Sequence, residues 1–286
     1  MNSRVGLHIR LTDTLIAAAE KAVRLQLPFF QCFFTRQETG SLISFTDQEI
    51  ALFVTQYRER FSALYLHGSY WINLARVKNN GYRSFQREIA LAKRLSFTHM
   101  VLHAGSAQRG STKQEGIAIF ARALNKILKH ESDIQLMIEN TAHANLSVGS
   151  DIHDFKLLLE QIDYPEKLSF VLDSAHAYVY GYDMSSHEGQ DAFLQLVDTI
   201  IGLHRVNLIH LNDSSKPCGS CIDKHAIFGE GLIGEPLLRR FATHPKLASV
   251  PIILELPLLA EEQEKTIVQR VTRFTNVIPA EAGIHL

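Results

Sequence analysis

Residues 134–139 read Ile-Gln-Leu-Met-Ile-Glu, and residues 168–173 read Leu-Ser-Phe-Val-Leu-Asp. Each segment is a short, nearly continuous apolar run that ends in a carboxylate. Such runs are typical of parallel strands that are buried on both faces. A helical pattern over Asp151–Gln161 lies between them. A strand, a helix and a second strand in this order predict one unit of a parallel α/β fold.

The same alternation occurs eight times along the chain, which predicts a single (β/α)8 (TIM) barrel rather than an open sheet. The predicted strands are Val5–His8, Phe29–Phe33, Ala63–His67, His99–His103, Ile134–Glu139, Leu168–Asp173, Arg205–His210 and Ile252–Glu255. The predicted helices are Leu15–Arg24, Asp47–Arg60, Phe85–Leu95, Gly116–His130, Asp151–Gln161, Asp191–Ile201, Glu235–Thr243 and Glu261–Arg273. We expect the barrel to occupy residues 1–274 and residues 275–286, which contain Pro and Gly, to form a loose tail.

Composition and charge exclude several classes of protein. Hydrophobic residues make up 46% and charged residues 21% of the chain, which argues against intrinsic disorder. The formal net charge of −1 excludes a general basic coat for nucleic acid but leaves a local basic groove open. Three cysteines cannot form a fully paired disulfide framework, so we expect a reducing compartment, the cytoplasm. The patterns predict no signal peptide and no membrane-spanning segment.

Histidine is unusually common, at 14 of 286 residues, or roughly twice typical usage. Several histidines lie where predicted strands end, together with acidic residues. Six strands end in such a residue: His67, His103, Glu139, Asp173, His210 and Glu255. The first strand ends at His8, and loops add His176 and the pair Asp223-x-His225. The carboxyl ends of barrel strands converge on one mouth, so these side chains should share a small volume.

A single polar residue after a strand is usually a cap or a turn former. Several carboxylates packed together are different, because they repel one another unless bound cations compensate. The mixed set of nitrogen and oxygen ligands, without a thiolate, suits Zn²⁺, and suits Mn²⁺ or Fe²⁺ less selectively. The strand ends therefore predict a metal site at the mouth of the barrel.

These residues lie in a series of short motifs that runs over roughly residues 1–273. The motifs are Gly6-Leu-His8, His67-Gly-Ser-Tyr-Trp-Ile-Asn-Leu74, Leu102-His-Ala-Gly-Ser106, Ile138-Glu-Asn-Thr-Ala142, Asp173-Ser-Ala-His-Ala-Tyr178, Gly181-Tyr-Asp183, His210-Leu-Asn-Asp213, Asp223-Lys-His225, Gly229-Glu-Gly-Leu-Ile-Gly234 and Ile253-Leu-Glu-Leu-Pro257. In content and order they resemble the endonuclease IV family of apurinic/apyrimidinic endonucleases, a branch of the xylose-isomerase-like barrels.

The resemblance implies three metal ions, normally zinc, with manganese possible at one or more sites. Nine residues would hold them, and all nine positions carry the expected residue type. The first set is His67, His103 and Glu139, the second is Glu139, Asp173, His210 and Glu255, and the third is His176, Asp223 and His225.

The resemblance also implies a reaction. This is hydrolysis of the phosphodiester 5′ to an abasic site in duplex DNA, which leaves a 3′-hydroxyl and a 5′-deoxyribose phosphate for base-excision repair. Metal ions would lower the pKa of a water molecule and neutralise charge on the reacting phosphate. Glu139 and Glu255 would be the catalytic residues, which orient that water or accept its proton. No organic cofactor and no membrane partner are implied, and we expect a monomer.

Two other functions are weighed against the nuclease. The quartet Glu139, Asp173, His210 and Glu255 alone also resembles the single-metal site of sugar isomerases and epimerases that share this barrel. One ion would leave five residues without a role, namely His67, His103, His176, Asp223 and His225. A DNA-binding or scaffold protein without turnover is the third hypothesis, and the intact ligand set argues against it.

The loops that would face DNA depart from the family. The first reads Arg10-Leu-Thr-Asp-Thr14, where the family usually has a Gly-rich loop, and the second reads Phe34-Thr-Arg-Gln-Glu-Thr-Gly40. Tyr70 and Trp71 follow the third strand and either stack in the gap left by a missing base or pack on a neighbouring helix. The predicted DNA contacts are Arg36, Tyr70, Trp71 and His8. Further phosphate-contact candidates, from loop position alone, are Lys78, Arg83, Lys113 and Lys216.

Two motifs match chemistry known from other folds. Cys218-x-x-Cys221 has zinc-knuckle spacing but lacks a second pair, which favours a surface loop. Gly229-x-Gly-x-x-Gly234 matches the dinucleotide-binding fingerprint letter by letter, but it follows no predicted strand. We expect these glycines to shape the loop behind the third ligand set.

Overall fold

The computed structural model describes residues 3–12, 14–36, 38–77, 80–131 and 133–276. Eight parallel strands close into a barrel in which neighbours in the sheet are neighbours in sequence. A two-stranded antiparallel hairpin, β8–β9, lies in the loop after the seventh barrel strand. The strands are β1 Val5–His8, β2 Phe29–Cys32, β3 Ala63–His67, β4 His99–Leu102, β5 Gln135–Glu139, β6 Leu168–Asp173, β7 Val206–His210, β8 Asp213–Ser214, β9 His225–Ala226 and β10 Ile252–Leu254. The predicted (β/α)8 barrel is confirmed.

Helices cover the outside of the barrel and bury their apolar stripes against the sheet. Threonine side chains cap three of them: Thr14, Thr46 and Thr112 each accept a hydrogen bond from a backbone N–H in the first turn. The helices are α1 Leu15–Arg24, α2 Asp47–Gln56, α3 Gly81–Arg94, α4 Lys113–Leu128, α5 His153–Leu159, α6 Ser174–Tyr180, α7 His187–Ile200, α8 Glu235–Ala242 and α9 Glu261–Thr275. No helix among the described residues is both long and apolar enough to cross a bilayer.

Several predicted boundaries are wrong by a few residues. Helix α2 ends at Gln56 and is followed by a 3₁₀ turn, Arg58–Arg60, rather than continuing. Helices α3, α4 and α7 begin three or four residues earlier than predicted, α5 is shorter than predicted, and α6 was not predicted. Thr275, the predicted first residue of the tail, is the last residue of α9. Residues 277–286 lie outside the described part of the chain.

A layer of apolar side chains fills the barrel interior. Seven strands each contribute one buried residue: Phe29, Tyr65, Val101, Met137, Val171, Leu208 and Ile253. On the remaining strand, β1, the corresponding position is Gly6, where a Cβ atom would overlap the Phe29 ring. Glycine is therefore required at this position because the Phe29 side chain occupies the space.

Side chains of a strand alternate between its two faces, so the residue two positions after each member of this layer also faces inward. In all eight barrel strands that residue is polar. The second layer consists of His8, Gln31, His67, His103, Glu139, Asp173, His210 and Glu255. This layer lies at the carboxyl ends of the strands. The two-residue alternation of side chains therefore places one polar side chain from each strand at the mouth.

Candidate metal centre

The first predicted ligand set meets on one carboxylate oxygen. The Nε2 atoms of His67 and His103 lie 3.1 and 3.0 Å from Glu139 Oε2. The Nδ1 atom of His67 lies 2.9 Å from the carbonyl of Gly68, which only accepts, so Nδ1 carries the proton. That bond turns the Nε2 lone pair of His67 toward Glu139. Both imidazoles therefore face the same carboxylate oxygen, but the compact groups of ligand atoms differ from the predicted set: His67 groups with Glu139 and His210, and His103 groups with Glu139 and His176.

The second set is a compact quartet in the same layer. Ligand atoms of Glu139, Asp173, His210 and Glu255 all lie within 4.8 Å of one another. The Nδ1 atom of His210 is 2.8 Å from Glu139, 3.8 Å from Asp173 and 3.7 Å from Glu255. Glu139 belongs to both sets, through Oε2 in the first and Oε1 in the second. Three carboxylates packed this closely repel one another, and cations between them remove that cost.

The third set comes from elements above the strands. Asp173 caps α6 by accepting a hydrogen bond from the His176 backbone N–H at 2.8 Å, which places His176 in the first turn. The Nδ1 atom of His176 donates to the carbonyl of Asn140 at 2.9 Å. Its Nε2 atom faces Asp223 Oδ2 at 3.3 Å, and His225 Nε2 faces Asp223 Oδ1 at 3.3 Å. The hairpin strand β9 begins at His225, so this residue is held by backbone pairing.

His225 provides a test of whether an ion fits. Its Nδ1 atom donates to the Glu255 carbonyl at 3.1 Å. Its Nε2 atom is buried and makes no hydrogen bond, although carboxylate oxygens of Asp223 and Asp173 lie 3.3 and 3.9 Å away. A nitrogen lone pair that faces two carboxylates needs a proton or a cation between them. The residues present therefore fit a bound cation.

The electrostatic field of the site also favours positive charge. Burial lowers the pKa of His210, but the charges of Glu139 and Glu255 outweigh it and raise the pKa to about 9. Burial opposes protonation of His225 too, yet the nearby carboxylates of Asp223, Asp173 and Glu255 raise its pKa to about 9. In the other direction, the surrounding histidines overcome burial and lower the pKa of Glu139, Asp223 and Glu255. Divalent ions would compete for this site with the protons that the histidines otherwise hold.

Buried amides orient the ligands, and sequence reasoning missed them. Gln31 donates from Nε2 to Glu255 at 2.7 Å, and its Oε1 accepts from His210 Nε2 at 3.1 Å. Asn212 donates to Asp173 at 2.7 Å and to Glu255 at 3.2 Å. The sequence did indicate Gln31, because it occupies the inward-facing second-layer position of β2. Only ionisable residues were taken as candidates at the strand ends, so this amide was not predicted.

The residues predicted to contact DNA lie beside the ligand sets. Tyr70 and Trp71 are 61% and 53% exposed, so neither is buried against a helix. Arg36 is exposed and lines, with Tyr70 and His8, a cavity of about 590 Å³ that reaches Glu255. His8 lies deeper, with Nδ1 3.2 Å from Glu255 Oε1, so it touches the metal centre directly. Their roles in DNA binding stay predictions.

The weaker phosphate candidates differ in their surroundings. Lys113 forms an ion pair with the largely buried Asp154, with Nζ 2.7 Å from Oδ2, and that pairing argues against a DNA contact. Arg83 is exposed on α3 and Lys216 is half-buried in the loop after β8. Lys78 lies outside the described residues.

The Gly-rich loop surrounds a carboxylate of its own chain. Asp213 accepts hydrogen bonds from the backbone N–H groups of Gly231, Ile233 and Gly234 at 3.0, 3.0 and 3.2 Å. A Cβ atom on Gly231 would overlap Asp213 Oδ1. The amides that would cradle a phosphate in a dinucleotide site are therefore already bonded.

The two cysteines of the CxxC motif are free thiols in the loop that leads to Asp223. Cys218 is exposed and Cys221 is half-buried. The backbone N–H of Cys221 donates to the carbonyl of Val179 at 2.8 Å, which joins this loop to α6. The motif therefore occupies a surface loop, as its lack of a second pair predicts.

Comparison with known proteins agrees with this geometry. The family model of xylose isomerase-like TIM barrels matches residues 19–275. A probable endonuclease 4 of Heliobacterium modesticaldum is 32% identical over 88% of this chain and 92% of its own length. The chain belongs to the endonuclease IV family. The resemblance predicted from the strand-end motifs is confirmed.

Two solved structures have a fold similar to that of this chain. The crystal structure of endonuclease IV from Thermus thermophilus is similar with a TM-score of 0.80, at 28% identity, over 95% of this chain and 98% of that one. A D-tagatose 3-epimerase-like protein is also similar, with a TM-score of 0.71, at 16% identity, over 95% and 98% of the two chains. At that identity the second likeness shows the fold alone. The barrel is thus common to the endonuclease IV family and to other proteins, so function must be argued from the site.

Proposed function

We propose that this chain is a metal-dependent apurinic/apyrimidinic endonuclease. It would hydrolyse the phosphodiester on the 5′ side of an abasic site in duplex DNA and leave a 3′-hydroxyl and a 5′-deoxyribose phosphate. This is the activity implied for the endonuclease IV family, and it would serve base-excision repair.

One observation carries the proposal. His176 and His225 lie in one compact group with Asp173, beside the quartet, and each faces a carboxylate oxygen of Asp223 at 3.3 Å, which supports these residues as a third ligand set. A barrel enzyme that needs one ion has no use for that set. Three adjoining sets instead suit a phosphodiester, which needs charge neutralised on both the attacking and the leaving oxygen.

We assign the nine residues to three ions, for which zinc suits the ligand chemistry best. When bound, such ions would lower the pKa of a water molecule and stabilise charge that develops on the phosphate. Glu139 is fully buried and belongs to the first two sets, so it would orient the attacking water molecule relative to the phosphate. Glu255 lies at the edge of the cavity, where Gln31 and His8 orient it to accept a proton.

The mouth would receive DNA through aromatic and basic side chains. Tyr70 and Trp71 present exposed rings of the kind that stack on bases or fill the gap left by a missing base. Arg36 would contact phosphate from the neighbouring loop. The cavity beside Glu255 is large enough for the extruded sugar phosphate.

The test uses an end-labelled duplex with one abasic site. We expect metal-replete protein to make a single cut 5′ to the site, and chelation to abolish the cut. Glu139→Gln should remove turnover, whereas Glu59→Gln, at an exposed position far from the mouth, should not. Wild-type protein that carries its metal and leaves the duplex intact would refute the proposal.

The runner-up is a single-metal sugar isomerase or epimerase built on the quartet. The ligand atoms of Glu139, Asp173, His210 and Glu255 form one group without help from other residues. Elemental analysis separates the two functions, because the nuclease predicts about three ions per chain and the isomerase predicts one. A count of one, with His176→Ala unchanged in metal content, would favour the isomerase.

A further inference from the structure

Glu88 is a buried carboxylate on α3 that lies outside the metal centre. Glu88 is only 2% exposed, and it forms no ion pair with any of the described residues. A buried carboxylate without a cation is costly unless several donors satisfy it. The Glu88 carboxylate accepts hydrogen bonds from the Ser69 backbone N–H at 3.1 Å and from Ser69 Oγ at 2.6 Å. The Thr35 side chain also hydrogen-bonds to it.

The two donor residues belong to different loops. Thr35 lies in the loop that follows β2 and immediately precedes Arg36. Ser69 lies in the loop that follows β3 and immediately precedes Tyr70. Both donors are themselves buried, at 5% and 3% exposure. Glu88 therefore joins the bases of the two loops that carry the predicted DNA contacts.

Two further contacts join the same loops. The Phe33 and Tyr70 rings lie with centroids 5.7 Å apart. Gly40 has φ +69°, and a Cβ atom there would come within 2.9 Å of Trp71 Cδ2, so the indole lies directly on the Gly40 backbone. The β2 loop and the β3 loop are thus joined at three places: through Glu88, between Phe33 and Tyr70, and between Gly40 and Trp71.

We propose that Glu88 is a positioning residue that locks the β2 and β3 loops into one unit and thereby fixes Tyr70 and Trp71 for contact with DNA. This inference rests on the proposed function. It assigns Glu88 to binding rather than to chemistry, because the hydrogen bonds of the carboxylate go to Ser69 and Thr35, which are not proposed ligands, and Glu88 is not among the residues that line the cavity. Preassembled loops avoid the cost of ordering them when substrate binds.

The carboxylate is chemically specific for this role. All three partners are donors, and only a carboxylate offers acceptors on both of its oxygens. In Glu88→Gln one oxygen can still accept the Ser69 N–H, and the Ser69 hydroxyl can rotate to accept from the new amide. We therefore expect Glu88→Gln to be a partial replacement, and Glu88→Ala to release both loops.

Trp71 supplies a direct readout, because it is the single tryptophan of the chain. In free protein, Glu88→Ala should lower the fluorescence anisotropy of Trp71 and increase its quenching by acrylamide, with Glu88→Gln in between. In the metal-replete enzyme acting on the abasic duplex, Glu88→Ala should raise KM about tenfold or more, since hydrogen bonds to charged groups are among the strong ones. We expect kcat within about twofold of wild type, because bonds present in both the ground and transition states affect KM alone. Metal content should not change.

Glu131→Ala is the matched control. Glu131 also ties two elements together, because it accepts the Ile134 backbone N–H at 3.2 Å and forms an ion pair with Lys93 of α3. It lies just before the amino end of β5, on the face of the barrel opposite the mouth. Its loss should lower stability without moving Trp71 fluorescence or KM. If Glu88→Ala does not fold, Glu88→Gln carries the same test with smaller changes.

The outcomes are decisive in both directions. Altered Trp71 fluorescence together with raised KM supports the proposal. Unaltered fluorescence, or altered fluorescence with unchanged KM, or a loss confined to kcat, overturns it. If wild-type protein neither binds nor cuts abasic duplex, the proposed function fails. The Trp71 measurement in free protein still decides whether Glu88 holds the loops.

Discussion

Replacing Gln31 tests how much the metal centre depends on a residue that carries no charge. Gln31 is fully buried and bonds to two proposed ligands, Glu255 through Nε2 and His210 through Oε1. The bond to His210 keeps a proton on Nε2 and leaves Nδ1 directed at the quartet. Gln31→Leu keeps a similar volume but removes both bonds, so it isolates the orienting role of the amide.

The expected magnitudes follow from those two bonds. The substitution leaves the His210 Nε2–H without a partner in a buried site, and it removes one of the two neighbours of Glu255 Oε1, the other being His8 Nδ1. Each such loss costs about 1–3 kcal/mol, so the free energy of unfolding of metal-free protein should fall by about 2–4 kcal/mol, allowing for partial relaxation. Loss of a bond that orients a metal ligand typically weakens metal affinity about 10–100-fold.

Competition between protein and a chelator measures metal affinity, and urea unfolding of metal-free protein measures stability. Gln195→Leu is the control, because Gln195 is exposed on α7 and its replacement should change stability by less than about 0.5 kcal/mol. If Gln31→Leu loses stability but retains metal affinity within about twofold of wild type, Gln31 supports the fold and does not orient the ligands.

Three further predictions concern charges outside the proposed chemistry. Lys113→Met should lower stability by about 2 kcal/mol in urea unfolding, because it strands the buried Asp154 carboxylate, while KM for abasic DNA stays unchanged. Asp213→Asn should speed amide hydrogen exchange in residues 229–234 and lower the free energy of unfolding by about 2 kcal/mol. Unchanged exchange would contradict the role given to this carboxylate. Burial lowers the pKa of His99 to about 4, below its unfolded value of 6.5. Its contribution to stability is therefore complete above pH 6.5 and is lost at up to about 1.4 kcal/mol per pH unit as pH falls toward 4. The stability of wild type relative to His99→Phe should therefore fall as pH falls over that window, and a constant relative stability would argue against burial as the cause.

The sequence predicted the barrel and its polar mouth because both follow from regular repeats along the chain: strands alternate with helices, and a polar residue recurs where the strands end. Apolar runs marked all eight barrel strands, and each predicted strand ended within one residue of the observed end. In a closed barrel every inward-facing position near the carboxyl end leads to the same mouth. His103 and Glu255 are therefore in place although each lies one residue past its strand.

Other features gave no signal because they depend on tertiary contacts. Helix α6 is seven residues long and begins directly after Asp173, so no amphipathic stripe could develop. Helix α3 begins at Gly81, whose backbone packs closely on the backbone of Asn73, and apolar spacing along the helix does not indicate such a contact. The buried bonds of Glu88 lie 19 residues from Ser69 along the chain, and nothing local to α3 indicates them.

The number of ions proposed for this barrel depends on residues above the strands as well as on those within them. The inner polar layer supplies the first two ligand sets, and the alternation of side chains along the strands is enough to place it. The third set needs two additions, helix α6 for His176 and the β8–β9 hairpin for His225. Asp173 couples the layers, because one oxygen caps α6 while the other faces His225 and His210. A change at Asp173 should therefore disturb the second and third sets together, whereas a change in the hairpin should disturb the third alone.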